Sequence, residues 1–153
     1  MLDRIDREIL AALQKNGRLS NKELSALIGL APSSCHERVK KLRLDGVIQG
    51  FSAIIDETSL GIVLQAMVAV RLVKHSRDAV DMFYEYTRNL KEVIAVYHVT
   101  GEADFLVHVG VRDTEHLRDL LMDAFTTHKD VAHLETSLVF RADRHPALPD
   151  LLD

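Results

Sequence analysis

Ahead of Asp45 at its end, the stretch 32–45 sets Arg38, Lys40, Lys41 and Arg43 against the single acid Glu37 on one helical surface, with Ser33, Ser34 and His36 beside them. Lysine and arginine neutralise phosphates, while hydroxyl and imidazole groups can reach base edges or phosphate oxygens. The chemistry these residues could do is therefore DNA recognition. Histidine is the other residue type that could act chemically. The eight histidines lie at 36, 75, 98, 108, 116, 128, 133 and 145, and no two share a helical ligand spacing. No HExxH, CxxC, GxSxG, P-loop or GxGxxG sequence occurs, so neither a metal site nor an enzyme of those types is expected.

A reading helix needs a second helix to brace it, and 19–31 supplies one. Ser20 followed by Glu23 matches a capping box, in which each side chain satisfies a backbone donor at a helix start. Leu24, Leu27 and Ile28 follow at i, i+3 and i+4, a spacing that predicts one buried stripe. Gly29 marks the end, and Pro32 opens the next helix, where its missing N–H costs nothing. In that second helix Cys35, Val39 and Leu42 fall at i, i+4 and i+7 and are expected in the core, with Gly46 as the stop. A preceding helix over about 3–16 carries Ile5, Ile9 and Leu13 on one stripe, with Leu10 and Ala12 beside it. The three together predict a trihelical unit. Residues 47–54 read as extended, a wing or the start of a linker strand.

Composition bounds the rest. The 153 residues allow one domain or two small ones, and 47% hydrophobic content indicates a globular chain. No run of 18 apolar residues exists, the N-terminus is charged rather than a signal peptide, and one cysteine cannot form an internal disulfide, so a cytoplasmic protein with no membrane partner is expected. Cys35 is expected as a small buried hydrophobe. The net charge of −4 hides an asymmetry: residues 1–50 hold 9 Lys/Arg against 6 Asp/Glu, and residues 51–153 hold 10 against 17. One copy of so weakly positive a module should bind DNA weakly, because phosphate neutralisation sets non-specific affinity.

From 62 onward the period changes. Strands are expected over 62–73, 93–99, 105–111 and 131–140, and helices over 77–90 and from Asp113 or Thr114. The order β-α-β-β-α-β predicts a ferredoxin-like sheet with both helices on one face. The other face is expected to be largely apolar whichever parity the strands adopt, and to be covered by a second copy in an obligate dimer. Four segments result: a helix-turn-helix over 1–50, a linker over 51–61, the sheet domain over 62–142, and a tail over 143–153, loose or docking.

The run LDRIDREILAALQKNGRLSNKELSALIGLAPSSCHERVKKLRLDGVIQGFSAIID resembles the N-terminal half of the Lrp/AsnC (feast/famine) transcriptional regulators. VTGEADFLVHV and ETSLVF are similar to the effector-sensing half, so the resemblance spans about 1–142. It implies an α+β chain, a winged helix-turn-helix followed by a ferredoxin-like βαββαβ effector and oligomerisation domain. It implies a DNA-binding regulator with no cofactor and a small effector, usually an amino acid, and homodimers that assemble to octamers. Carried over, the DNA contacts are Ser33, Ser34, His36, Arg38 and Lys40, with Lys41 beside them. The effector loop is Thr100 to Asp104: Gly101 would let backbone approach the ligand, Asp104 would hold an ammonium group, and Thr136 and Ser137 would take a carboxylate. Ala103 departs from the larger, often aromatic residue common there, and the acids Glu102 and Asp104 point toward a cationic amino acid.

From the residues alone, His36 is open to a base, a phosphate or neither, and Arg38 to DNA, to an ion pair with Glu37 or Asp45, or to a brace within the trihelical unit. Two rival functions share this architecture. One is a sirohaem decarboxylase-like enzyme, which the chain also resembles and in which His98 or His108 would serve a tetrapyrrole. The other is a low-specificity DNA-architectural protein.

Overall fold

The computed structural model describes every residue except Met1, Arg144, Pro146 and Asp153, so the tail is described only in part. The chain divides into two compact units, Met1–Ile54 with Asp143–Asp153, and Ile55–Ala142.

In the first unit α1 spans Arg4–Lys15, α2 Asn21–Ile28 and α3 Pro32–Leu44. Local signals set the ends. Ser20 Oγ accepts from Glu23 N–H at 3.2 Å, and Glu23 Oε2 accepts from Ser20 N–H at 2.8 Å, a reciprocal cap on α2. Gly29 closes α2 at φ 74°, a left-handed backbone that a side chain would strain. Asp3 and Asp6 cap α1 in the same reciprocal way. Ile9, Ala12, Leu13, Leu24, Cys35 and Leu42 form the core, with Ile5, Leu10, Ile28 and Val39 packed against it. Leu27 departs from its predicted stripe and is 66% exposed. Its place inside is taken by Ser25, whose hydroxyl donates to Lys22 C=O at 3.0 Å, so the polar atom is buried satisfied. Residues 47–54 form no strand. Among the described residues no backbone–backbone hydrogen bond joins 49–55, and Ile54 is 96% exposed. Ile48 packs against the core, and Phe51 is seated with its ring against Gly17 and under the Arg43 guanidinium at 5.3 Å. From the tail, Leu148 N–H donates to Gln14 Oε1 at 2.7 Å, and Arg7 Nη1 donates to Leu152 C=O at 2.7 Å.

In the second unit β1 spans Leu64–Leu72, α4 Arg77–Arg88, β2 Val93–His98, β3 Phe105–Val111, α5 Thr114–Leu120 and β4 Val131–Leu138. Helix α5 continues as a wider π turn over Leu121–Thr126. The sheet is antiparallel in the order β2-β3-β1-β4. Ala66, Val68, Val70 and Leu72 alternate toward the helices, as do Phe105, Val107, Val109 and Val111, and they close a core with Phe83, Leu117, Leu120 and Phe125. The opposite face corrects the expectation of a largely apolar surface. Met67, Ala69, Ala95, Tyr97 and Leu106 form an apolar centre, but Gln65, Arg71, His108, His133, Glu135 and Ser137 share that face by register. His108 is nonetheless buried: its Nε2 meets Gln65 Oε1 at 2.7 Å, and Gln65 Nε2 donates to Glu57.

Candidate nucleic-acid interface and effector loop

Helix α3 packs inward through Cys35, Val39 and Leu42, which leaves one broad side of it facing outward. Ser33, Ser34, His36, Lys40 and Lys41 are all exposed on it. Pro32 starts the helix without a side-chain cap, and Asn21 supplies the anchor instead, donating from Nδ2 to Pro32 C=O at 2.8 Å. That bond ties the start of α3 to the start of α2 across the turn. Glu37, passed over as a site residue, lies one turn from both Ser33 and Lys41 and is exposed among them. A carboxylate there can accept from a cytosine amino group, a role that charge counting hides.

Arg38 sits differently from its neighbours. Its side chain is 34% exposed, and its Nη1 reaches back to α1, donating to Asp3 Oδ2 at 2.6 Å and to Asp6 Oδ1 at 2.8 Å. Of the readings open from sequence, the geometry matches the brace, and its partners are neither Glu37 nor Asp45. The Asp3 carboxyl is held below its ordinary range, first by the Asp6 N–H and then by Arg38. The two carboxylates raise the Arg38 guanidinium in turn. The cap on α2 likewise lowers Glu23, through the Ser20 hydroxyl and then the Ser20 N–H. Cys35 is fully buried, and desolvation pushes its thiol up.

The loop Thr100–Asp104 joins β2 to β3. Gly101 turns it at φ 121°, with no heavy atom within 4 Å of where a Cβ would stand. Thr100 and Glu102 are exposed. Asp104 is not the free ammonium ligand expected. Its Oδ2 accepts from Leu72 N–H at 2.7 Å and its Oδ1 lies 2.9 Å from His75 Nδ1, so both oxygens are engaged within the fold. The Leu72 N–H faces the β3 side of β1, past the last ladder pair Val70–Phe105, and the side chain satisfies a donor that the ladder leaves over. The case for a cationic ligand thus keeps only Glu102.

Thr136 and Ser137 do not share a face of the sheet. They are successive strand residues, so they point to opposite faces; Thr136 pairs with Val68 and Ser137 with Met67. The loop meets β1 at Val70 and Leu72, further along the strand, so one copy does not gather Thr136, Ser137 and Thr100–Asp104 around one point. The histidines of the enzyme reading also diverge. His98 stacks on Phe105 at 5.0 Å on the helix side, and His108 lies on the opposite face. Among the described residues no group of three or more His, Cys, Asp or Glu could hold a metal ion. No helix of the described residues is long and apolar enough to cross a membrane.

Comparison with known proteins fits this division of labour. A winged helix-turn-helix DNA-binding domain matches residues 2–49, and the Lrp/AsnC ligand binding domain matches residues 65–147. The HTH-type transcriptional regulator AldR of Mycolicibacterium smegmatis is 42% identical over 139 residues, 91% of this chain and 81% of that protein. The leucine-responsive regulatory protein of Escherichia coli is 40% identical over 120 residues, 78% of this chain and 73% of that protein. A Neisseria meningitidis transcriptional regulator solved as a complex with L-Met superposes with a TM-score of 0.87 at 32% identity, covering 95% of this chain and 94% of that one. The E. coli AsnC structure gives 0.86 at 26% identity over 97% and 98%. The first three of these proteins are named as regulators. With both halves matched in order and such identity over nine-tenths of its length, this chain belongs to the Lrp/AsnC family of transcriptional regulators.

Proposed function

We propose that this regulator reads duplex DNA with the outward face of α3, through Ser33, Ser34, His36, Lys40 and Lys41, and that an amino acid bound beside the loop Thr100–Asp104 sets its assembly or its affinity for DNA. The exposed row of hydroxyl, imidazole and ammonium groups on α3 carries the DNA half of the reading. For the effector half, one relative is named leucine-responsive and another was solved with L-Met, so a neutral amino acid is the effector class we assign. The engaged carboxylate of Asp104 fits that class better than a cationic one.

We further propose a homodimer that builds toward an octamer and works in the cytoplasm, the compartment of the DNA. Two features support self-association. The stretch 49–55 has no backbone partner within the described chain, and the outer sheet face has an apolar centre. Splitting Thr136 and Ser137 from the loop also fits a ligand held between copies.

Gel-shift binding to the host's genomic fragments, at two salt concentrations and with or without pooled amino acids, tests the reading. Selective shifts altered by the pool support it, and subdividing the pool names the effector. Selective shifts that ignore the pool remove the effector site. Equal shifts of unrelated fragments favour an architectural protein, and no shift at low salt overturns DNA binding.

A further inference from the structure

Helix α3 meets its own unit along a narrow stripe. Cys35, Val39 and Leu42 contribute the apolar contacts, and Asn21 fixes only the first turn. So narrow a stripe fixes position more firmly than roll about the axis, to which the Arg43 guanidinium over Phe51 adds one tie near the last turn. Roll matters for reading: a side-chain tip roughly 7 Å from the axis moves by about 2 Å on a roll of about 20°. That exceeds the whole distance range of a useful hydrogen bond.

Arg38 stands at the margin of the stripe, three residues after Cys35 and four before Leu42. Its Nη1 lies between two carboxylates that already have another task. Asp3 gives Oδ1 to the N–H of Asp6 at 2.8 Å and Oδ2 to Arg38 at 2.6 Å. Asp6 gives Oδ2 to the N–H of Asp3 at 3.2 Å and Oδ1 to Arg38 at 2.8 Å. Each acid spends one oxygen on closing the start of α1 and the other on α3. The cap holds the carboxylates still, so the tie to Arg38 has a rigid base.

We infer that Arg38 is a positioning residue that locks the roll of α3 against the capped start of α1, and that Asp3 and Asp6, which lie outside the reading face, thereby set sequence discrimination. This builds on DNA reading by α3. It removes Arg38 from the contacts expected from the resemblance and makes two acids favourable to recognition.

The opposite reading, Arg38 on a phosphate or a base, predicts opposite signs. The test uses the full chain, a duplex that the wild-type protein selects from a random-sequence pool, and a scrambled duplex of equal length. The variants are D3N/D6N, R38Q, their triple combination, and R38K. Asparagine still caps a helix, so D3N/D6N removes charge without removing the cap. Affinity is read across a salt series, and amide exchange in α1 and α3 reports folding.

Under the positioning reading D3N/D6N and R38Q each lower the selected-to-scrambled ratio by about tenfold, the size of one lost base discrimination. The triple variant loses no more than either. R38Q leaves the slope of log affinity against log salt unchanged. R38K keeps the ratio, because one nitrogen makes both contacts. If Arg38 touches phosphate, R38Q lowers that slope by about one per subunit, and D3N/D6N raises affinity with its ratio intact. If Arg38 reads a base, R38K loses the ratio as R38Q does. Either result overturns the inference. Should D3N/D6N abolish exchange protection in α1, the slope of R38Q and the ratio of R38K decide alone.

Discussion

Among the described residues the trihelical unit buries six apolar side chains and the sheet unit thirteen. The smaller core carries the denser set of polar ties: reciprocal caps on α1 and α2, the Arg38 brace, and the Asn21 bond across the turn. A module of about 55 residues hides too little surface to stand on burial alone, so directional bonds make up part of the deficit. The sheet unit has caps of its own, Ser76 on α4 and Asp113 on α5, but sets them beside a core twice as large. The two units therefore differ in balance: single polar changes should weigh more on the DNA-reading unit, and cavities more on the sheet.

The largest expected effect is on the sheet. Phe83 is fully buried and packs its ring 5.1 Å from that of Phe105, so Phe83→Ala should cost about 3–5 kcal/mol. Amide exchange along β1 and β3 measures it, and α1–α3 should keep their protection. Equal loss in both units would mean one cooperative body and end the comparison. Next, Ser20→Ala removes one cap and should cost about 1 kcal/mol, confined to exchange in α1–α3. A protein whose sheet responds equally would again break the distinction.

Acid should sharpen it. Asp3 and Glu23 have folded-state values below their ordinary 3.8 and 4.5, and in the other unit Asp56, which caps the turn Glu57–Leu60 ahead of the sheet, is lowered by the Thr58 and Ser59 hydroxyls. A depressed carboxyl contributes stability above its unfolded value, and that stability is lost as pH falls through the folded one. Lowering pH below about 4.5 should therefore loosen α1–α3 and the turn Glu57–Leu60 before the sheet, and D3N with E23Q should flatten the dependence in α1–α3. A sheet that melts at higher pH than the helices would contradict this. The smallest effect is expected at Arg118, whose partners Glu115 and Asp119 are exposed; Arg118→Ala should change stability by less than about 0.5 kcal/mol in thermal melting.

The sequence was most legible where a signal and its consequence are neighbours. Ser20 with Glu23, Gly29 and Pro32 fix α2 and α3 within a few residues, and the βαββαβ order gives the sheet. It was least legible where partners are distant. Arg38 finds acids 32 and 35 positions away, and only local partners such as Glu37 and Asp45 could be named beforehand. Asp104 reads as a turn acid, and its use by Leu72 depends on β1 running past the end of β3, 32 positions away in sequence, which no local pattern announces. The polar half of the outer sheet face escaped because long apolar runs hide their alternation, although Gln65 and His108 were in view. The opposed directions of Thr136 and Ser137 follow from strand period alone and were open to inspection.

Complete burial of Cys35 gives this regulator a built-in reporter. The chain has one thiol, and it lies in the core of the DNA-reading unit. A thiol-reactive dye can reach it only when that unit opens, so the labelling rate times helix-turn-helix opening with no engineered probe and no signal from the sheet. Adding DNA, acid or an amino acid then reads out directly as a slower or faster reaction at a single sulfur.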